Sequence, residues 1–149
     1  MVVEIDQSGK LEQLNTGTAI AYANGKSGAI WLTAKTKRSA TKLLRKTLIP
    51  TRDLGAILFA ILIFIMVEKL PRDIVLKIDE EYTGKEKVIA ETLEKLLVRK
   101  SAKSWVGKIR FGQIGKHSPA HKLAWNIHRQ KNRQKVRSIK LEEISKLLK

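Results

Sequence analysis

Fourteen Asp and Glu residues stand among thirty Lys and Arg, so the few acids that fall at expected strand ends are candidates for chemistry. Asp6 follows the β-branched run Val2 to Ile5, and Asp79 follows the apolar stretch Ile74 to Ile78 (IVLKI). If these two strands are neighbours, both carboxylates project from one edge of a sheet. Asp53 falls in the first turn of the helix expected between the third and fourth strands. His121 falls in the first turn of a helix that Ser118 and Pro119 open. Three carboxylates gathered there offer the hard oxygen donors that Mg²⁺ or Mn²⁺ prefers, and His121 adds a nitrogen. Two such ions would activate water on one side of a phosphodiester and stabilise the leaving oxygen on the other. Each residue also has a plainer use. Asp6 before Ser8-Gly9 suits a turn, and Asp53 suits a helix first turn. Glu80 and Glu81 read as N-terminal acids of the next helix, and a lone histidine in a first turn is often structural. His117 sits in a loop and is a candidate proton shuttle.

The formal charge is +16, and so large an excess repels itself in a compact chain unless a polyanion offsets it. Nucleic acid is the leading partner and an anionic membrane surface the second. The excess is clustered. Lys35, Lys37, Arg38, Lys42, Arg45, Lys46 and Arg52 fall in one stretch without an acid. Lys116 to Lys149, with Lys116, Arg129, Lys131 and Arg133 among them, holds ten basic residues against two acids. Phosphate contacts explain such clustering economically. The tryptophans read as core: Trp31 and Trp105 within strands, Trp125 on an apolar helix face with Leu123 and Ile127.

The elements that must position these residues follow from periodicity. Val2 to Ile5 is a strand, and Gln7 to Lys10 is a turn. Thr18 to Ala23 and Ala29 to Thr36 are two more strands about a turn at Asn24 to Gly28, so the chain opens as an antiparallel meander. Ser39 to Ile49 is basic and weakly helical. Leu54 to Val67 (LGAILFAILIFIMV) is uncharged over fourteen residues, short of the ~20 needed to cross a bilayer, and reads as a buried central helix. Ile74 to Ile78 is a central strand, Lys85 to Lys100 a helix, Trp105 to Phe111 a fifth strand, Pro119 to Arg129 a helix and Leu141 to Leu148 a last short one. The order β-β-β-α-β-α-β-α implies an α/β fold with a five-stranded mixed sheet and helices on its faces. A length of 149 residues with 43% hydrophobic residues suits a single domain over 1–149. A basic helical segment at 130–149 ends it. There is no cysteine, which excludes disulfides and thiolate sites, and no signal segment is visible, so a cytoplasmic protein is expected.

The chain resembles the ribonuclease H-like superfamily on several short motifs. Val2 to Gly9 (VVEIDQSG) resembles the family's first strand with its bridging aspartate, at Asp6. Arg52 to Ile57 (RDLGAI) puts Asp53 where the family has a glutamate. Ile78 to Gly84 (IDEEYTG) matches its strand-end aspartate, at Asp79. Ser118 to Ala124 (SPAHKLA) resembles its last-helix signature, with His121 where ribonuclease HI has an aspartate and other branches use histidine. Leu48 to Arg52 replaces the family's Thr-Asn-Asn phosphate-binding stretch, and His117 is a shortened counterpart of its catalytic-loop histidine. The resemblance implies a two-metal nuclease that uses Mg²⁺ or Mn²⁺ on an RNA/DNA hybrid, RNA or structured DNA. Asp6, Asp53, Asp79 and His121 would be both its ligands and its catalytic residues. The alternative is a nucleic-acid-binding protein that keeps the fold without chemistry.

Overall fold

The structure is a computed structural model, and it describes residues 2–24, 26–100, 105–129 and 136–148. Strands β1 (Val2–Ser8), β2 (Thr18–Asn24) and β3 (Lys26–Leu32) form the antiparallel meander. Helix α1 (Ala34–Arg45), a 3₁₀ turn at Thr51–Asp53 and helix α2 (Leu54–Val67) follow. Then come β4 (Val75–Asp79), α3 (Glu86–Lys100), β5 (Lys108–Gly112), α4 (Pro119–His128), β6 (Arg137–Ser138) and α5 (Leu141–Leu147). The sheet runs β5-β4-β1-β2-β3-β6, with β1–β4, β4–β5 and β3–β6 parallel. The fold is α/β with a mixed sheet, as expected, but among the described residues the sheet has six strands rather than five.

The sixth strand has no pattern of its own. Two residues, Arg137 and Ser138, pair with β3 because the next residue is anchored. Ile139 is buried and its N–H donates to the Trp31 carbonyl at 2.9 Å. The third strand also stops earlier than its composition suggests. Thr33 caps α1, its hydroxyl accepting from the Thr36 N–H at 3.2 Å, so Ala34 to Thr36 are helical. Trp105 lies outside β5, which begins at Lys108.

Alternation along the strands sorts the core into two layers. Val3, Ile5, Ile20, Ile30, Leu32, Leu76 and Ile78 share one cluster with α2, and Ala19, Ala21 and Trp31 share the other with Ala124 and Ile127 of α4. Helix α2 is buried along nearly its whole length, with α1, α3 and α5 packed around it. Its uniform apolarity is therefore that of a helix with no solvent face. Among the described residues no helix is long and apolar enough to cross a membrane.

Candidate active site

Asp6 lies inside β1 rather than at its end, since the strand continues through Gln7 and Ser8. Val3 and Ile5 point into the α2 layer, so Glu4 and Asp6 point to the other face, where α4 lies. Two contacts dock α4 there. Ser118 Oγ donates to Glu4 Oε1 at 2.9 Å, and His121 Nδ1 stands 2.7 Å from Asp6 Oδ2. Ser118 also caps α4 by accepting the Ala120 N–H, which sets the helix to begin beside the strand. The register Ile5↔Ile78 of the parallel pair makes Asp6 and Asp79 the next residues on adjacent strands. The Ile114 N–H donates to Asp79 Oδ1 at 2.8 Å, tying the loop after β5 to the same carboxylate.

A third acid joins them, and it is Glu81. The chain after β4 turns back at once, with the Glu81 N–H donating to the Asp79 carbonyl at 2.8 Å. One oxygen from each of Asp6, Asp79 and Glu81 lies within 4.8 Å of the others. Helix α3 starts at Glu86, so Glu81 is not the N-terminal helix acid that its position in the sequence suggests. The informative signal was the spacing of two from a strand-end aspartate across a tight turn.

Burial dominates the electrostatics of the group. Burial holds the Asp6 carboxyl above the usual range, and the charge of Asp79 adds to this, while hydrogen bonds from His121 and the Gln7 N–H oppose it. The Glu81 carboxyl is also raised, first by loss of solvent and then by Asp79 and Asp6, against a hydrogen bond from Gln7. Carboxylate oxygens gathered this closely could ligate a hard divalent cation such as Mg²⁺, whose oxygen ligands stand about 2.0–2.1 Å from it. The donor set therefore suits Mg²⁺ or Mn²⁺.

Asp53 is placed elsewhere. It precedes α2, on the opposite layer, and its Oδ1 is held by Lys85 Nζ at 2.8 Å. It is not among the three acids brought together, and its carboxylate is paired with a lysine instead. Tyr82 marks the same layer: its ring packs at a tilt of 43° against Phe59 of α2 with centroids 5.1 Å apart, and its hydroxyl meets the Gln7 side chain at 3.3 Å. His117 is exposed in the loop before α4.

The basic residues divide as sharply. Lys35, Arg38, Lys42, Arg45, Lys46 and Arg52 are exposed, on or near α1 in the layer opposite Asp6. Lys37 was expected among the phosphate contacts, but it is fully buried and its ammonium donates to the Lys10 and Gln13 carbonyls at 3.1 and 2.9 Å. Burial lowers its pKa to about 8. It is a cross-link between α1 and the loop after β1, out of a phosphate's reach. Lys116 and Arg129 are exposed, while Lys131 and Arg133 lie outside the described residues. The strands themselves carry cations that sequence reasoning passed over. Lys77, Lys108 and Arg110 alternate onto the face that carries Asp79, with Lys77 paired to Arg110 and Asp79 to Gly112. A β-carbon on Gly112 would stand 3.2 Å from Lys77 Cε, so the lysine stem crosses that glycine beside the acids. Trp125 is a further correction: it is exposed, not core, and Arg129 stacks on it.

No protein-family model matches the chain, and no curated protein matches it in sequence.

Proposed function

We propose that this protein is a metal-dependent nuclease of ribonuclease H-like architecture, hydrolysing phosphodiester bonds of nucleic acid with Mg²⁺ or Mn²⁺. The observation that carries the reading is the convergence of Asp6 and Asp79 from adjacent parallel strands with Glu81, next to a histidine on the last long helix. The order of β1 to β5 in the sheet agrees with that architecture, with β6 as an added edge. Asp6, Asp79 and Glu81 would hold the metal. When bound, it would polarise the phosphoryl oxygen and lower the pKa of an attacking water.

The chain's own residues supply orientation and proton handling. Asp6 fixes the His121 ring through Nδ1. With the proton on Nδ1, Nε2 is left as an acceptor, so His121 takes a proton from water or joins the ligand set. The side chain is 36% exposed, which keeps Nε2 within reach of solvent or substrate. Lys77, Lys108 and Arg110 on the same face provide positive charge for the scissile strand's phosphates. Asp53 takes no part in this group; its role is the ion pair with Lys85.

The test is incubation with labelled RNA/DNA hybrid, duplex DNA, branched DNA and single-stranded RNA in Mg²⁺, Mn²⁺ or EDTA. Metal-dependent cutting that falls at least ~100-fold in Asp6→Asn and Asp79→Asn is the expected result. Tight binding with no cutting in either metal overturns it in favour of a non-catalytic binding protein.

A further inference from the structure

Among the described residues, Trp125 is the large aromatic that the fold leaves in solvent. It is 44% exposed, whereas Ala120, Ala124 and Ile127 of the same helix are buried against the sheet. It stands one turn beyond His121 on the same row of α4, about 6 Å along the axis. One turn further on, the Arg129 guanidinium carbon lies 4.3 Å from the Trp125 ring centroid. Lys122 and Pro119 complete this exposed outer side. The helix itself carries charge of one sign, since no Asp or Glu occurs between Glu94 and Glu142 in the sequence, and the acids it touches, Glu4 and Asp6 of β1, meet Ser118 and His121 at its N-terminal end.

An exposed indole costs solubility unless something covers it, and the occupant can be read from the charge. An indole with the Arg129 guanidinium over its ring, on an acid-free helix that also exposes Lys122, matches a nucleobase with its phosphate: the base stacks with the Trp–Arg pair and the cations take the charge. Bases inside a duplex already stack on one another, so only unpaired nucleotides present a free face. The row begins at His121, which touches Asp6, so a strand lying along it is led to the acids.

We propose that the outer row of α4, Trp125 with Arg129 and Lys122, is a stacking platform for a single-stranded stretch of nucleic acid entering the site. The proposal rests on nucleic acid being the partner and specifies an unpaired strand as the form recognised.

The experiment is binding of wild-type protein, Trp125→Ala and Trp125→Phe to a fluorescein-labelled 15-nucleotide single strand, as DNA and as RNA. A blunt duplex of the same sequence is the reference, and all binding is read in EDTA by anisotropy. Trp125→Ala should weaken single-strand binding on the order of tenfold while changing duplex binding less than about twofold, and Trp125→Phe should keep most of the affinity. Tryptophan emission of the wild-type protein should be quenched by the single strand, and Trp125→Phe should lose that quench; this reading stands even if Trp125→Ala folds poorly. Unchanged single-strand affinity, or an equal loss on duplex, overturns the platform. Because no metal is present, the two readings fail separately. Stacking without cutting in any metal removes the nuclease, and cutting with Trp125→Ala indistinguishable in binding removes the platform.

Discussion

The two faces of the sheet are built on opposite principles. On one, α2 lies under α1, α3 and α5, and large side chains such as Phe59, Leu62 and Phe64 are fully enclosed. On the other, the core under α4 consists of Ala19, Ala21, Trp31, Ala124 and Ile127. Small residues let α4 approach closely, and its docking relies on Ser118–Glu4 and His121–Asp6 as much as on burial. The thick face therefore supplies stability, and that surplus allows the thin face to hold three mutually repelling carboxylates. Destabilised acids are tolerable only where another layer holds the fold.

This contrast is sharpest in a core deletion. Phe59→Ala on the thick face should cost about 3–5 kcal/mol in chemical denaturation. Ile127→Ala on the thin face should cost less, about 2–3 kcal/mol, because a smaller side chain is removed from a smaller cluster. Equal losses would break the division of labour.

A second effect belongs to the acids. Metal that binds only the folded chain should stabilise it by about 2.7 kcal/mol at a hundredfold excess over Kd, read as a rise in Tm. Asp6→Asn and Asp79→Asn should abolish that rise. The native pKa of Asp6 is raised, so the folded state holds a proton the unfolded chain has released, and metal-free stability should fall as pH rises from about 4. Asp6→Asn should flatten that fall. A wild-type profile no steeper than the variant's would show that Asp6 is not strained.

Overpacking comes next. Ala124→Leu should cost about 1–3 kcal/mol and lower cleavage, because lifting α4 withdraws His121 from Asp6. Loss of stability with cleavage intact would uncouple helix position from the site.

Lys37 gives a smaller effect on the thick side. Its native pKa of about 8 lies below the ordinary value of 10.5. Between those values the unfolded chain binds the proton that the folded chain lacks, so this group makes stability rise with pH from about 8 to about 10.5 and leaves it flat below. In Lys37→Met that contribution should vanish; identical slopes for the two proteins over this window would contradict a buried, depressed ammonium.

Asp53→Asn should do least. Its loss of the Lys85 ion pair should cost about 0–1 kcal/mol and leave cutting within a few-fold. A hundredfold loss of cutting would return Asp53 to the catalytic set.

Elements whose burial is written as a period were readable from the sequence. The β-branched run of β1, the uninterrupted apolarity of α2 and the stripe of α3 each report one environment repeated along many residues, and a repeated environment leaves a repeated pattern. Asp79 and His121 fall where local signals put them, at a strand end and just after a capped helix start, whereas Asp6 was picked as a strand end and lies inside β1. Glu81, Lys37, Trp125 and β6 were not readable. Glu81 enters the site through one tight turn after β4, and a single hydrogen bond leaves no periodicity. Lys37 is a lysine among exposed basic residues of α1 and is singled out only by two carbonyls of a distant loop. Trp125 shares its segment with Leu123 and Ile127, and which side of that helix meets the sheet was decided by Ser118 and His121 finding acids on β1. The sequence by itself determined which segments could be strands and helices, and that the surface would be strongly basic. Tertiary structure alone decided which acids stand together, because that depends on strand register and on the face each helix covers, and both are set by contacts between residues far apart in the chain.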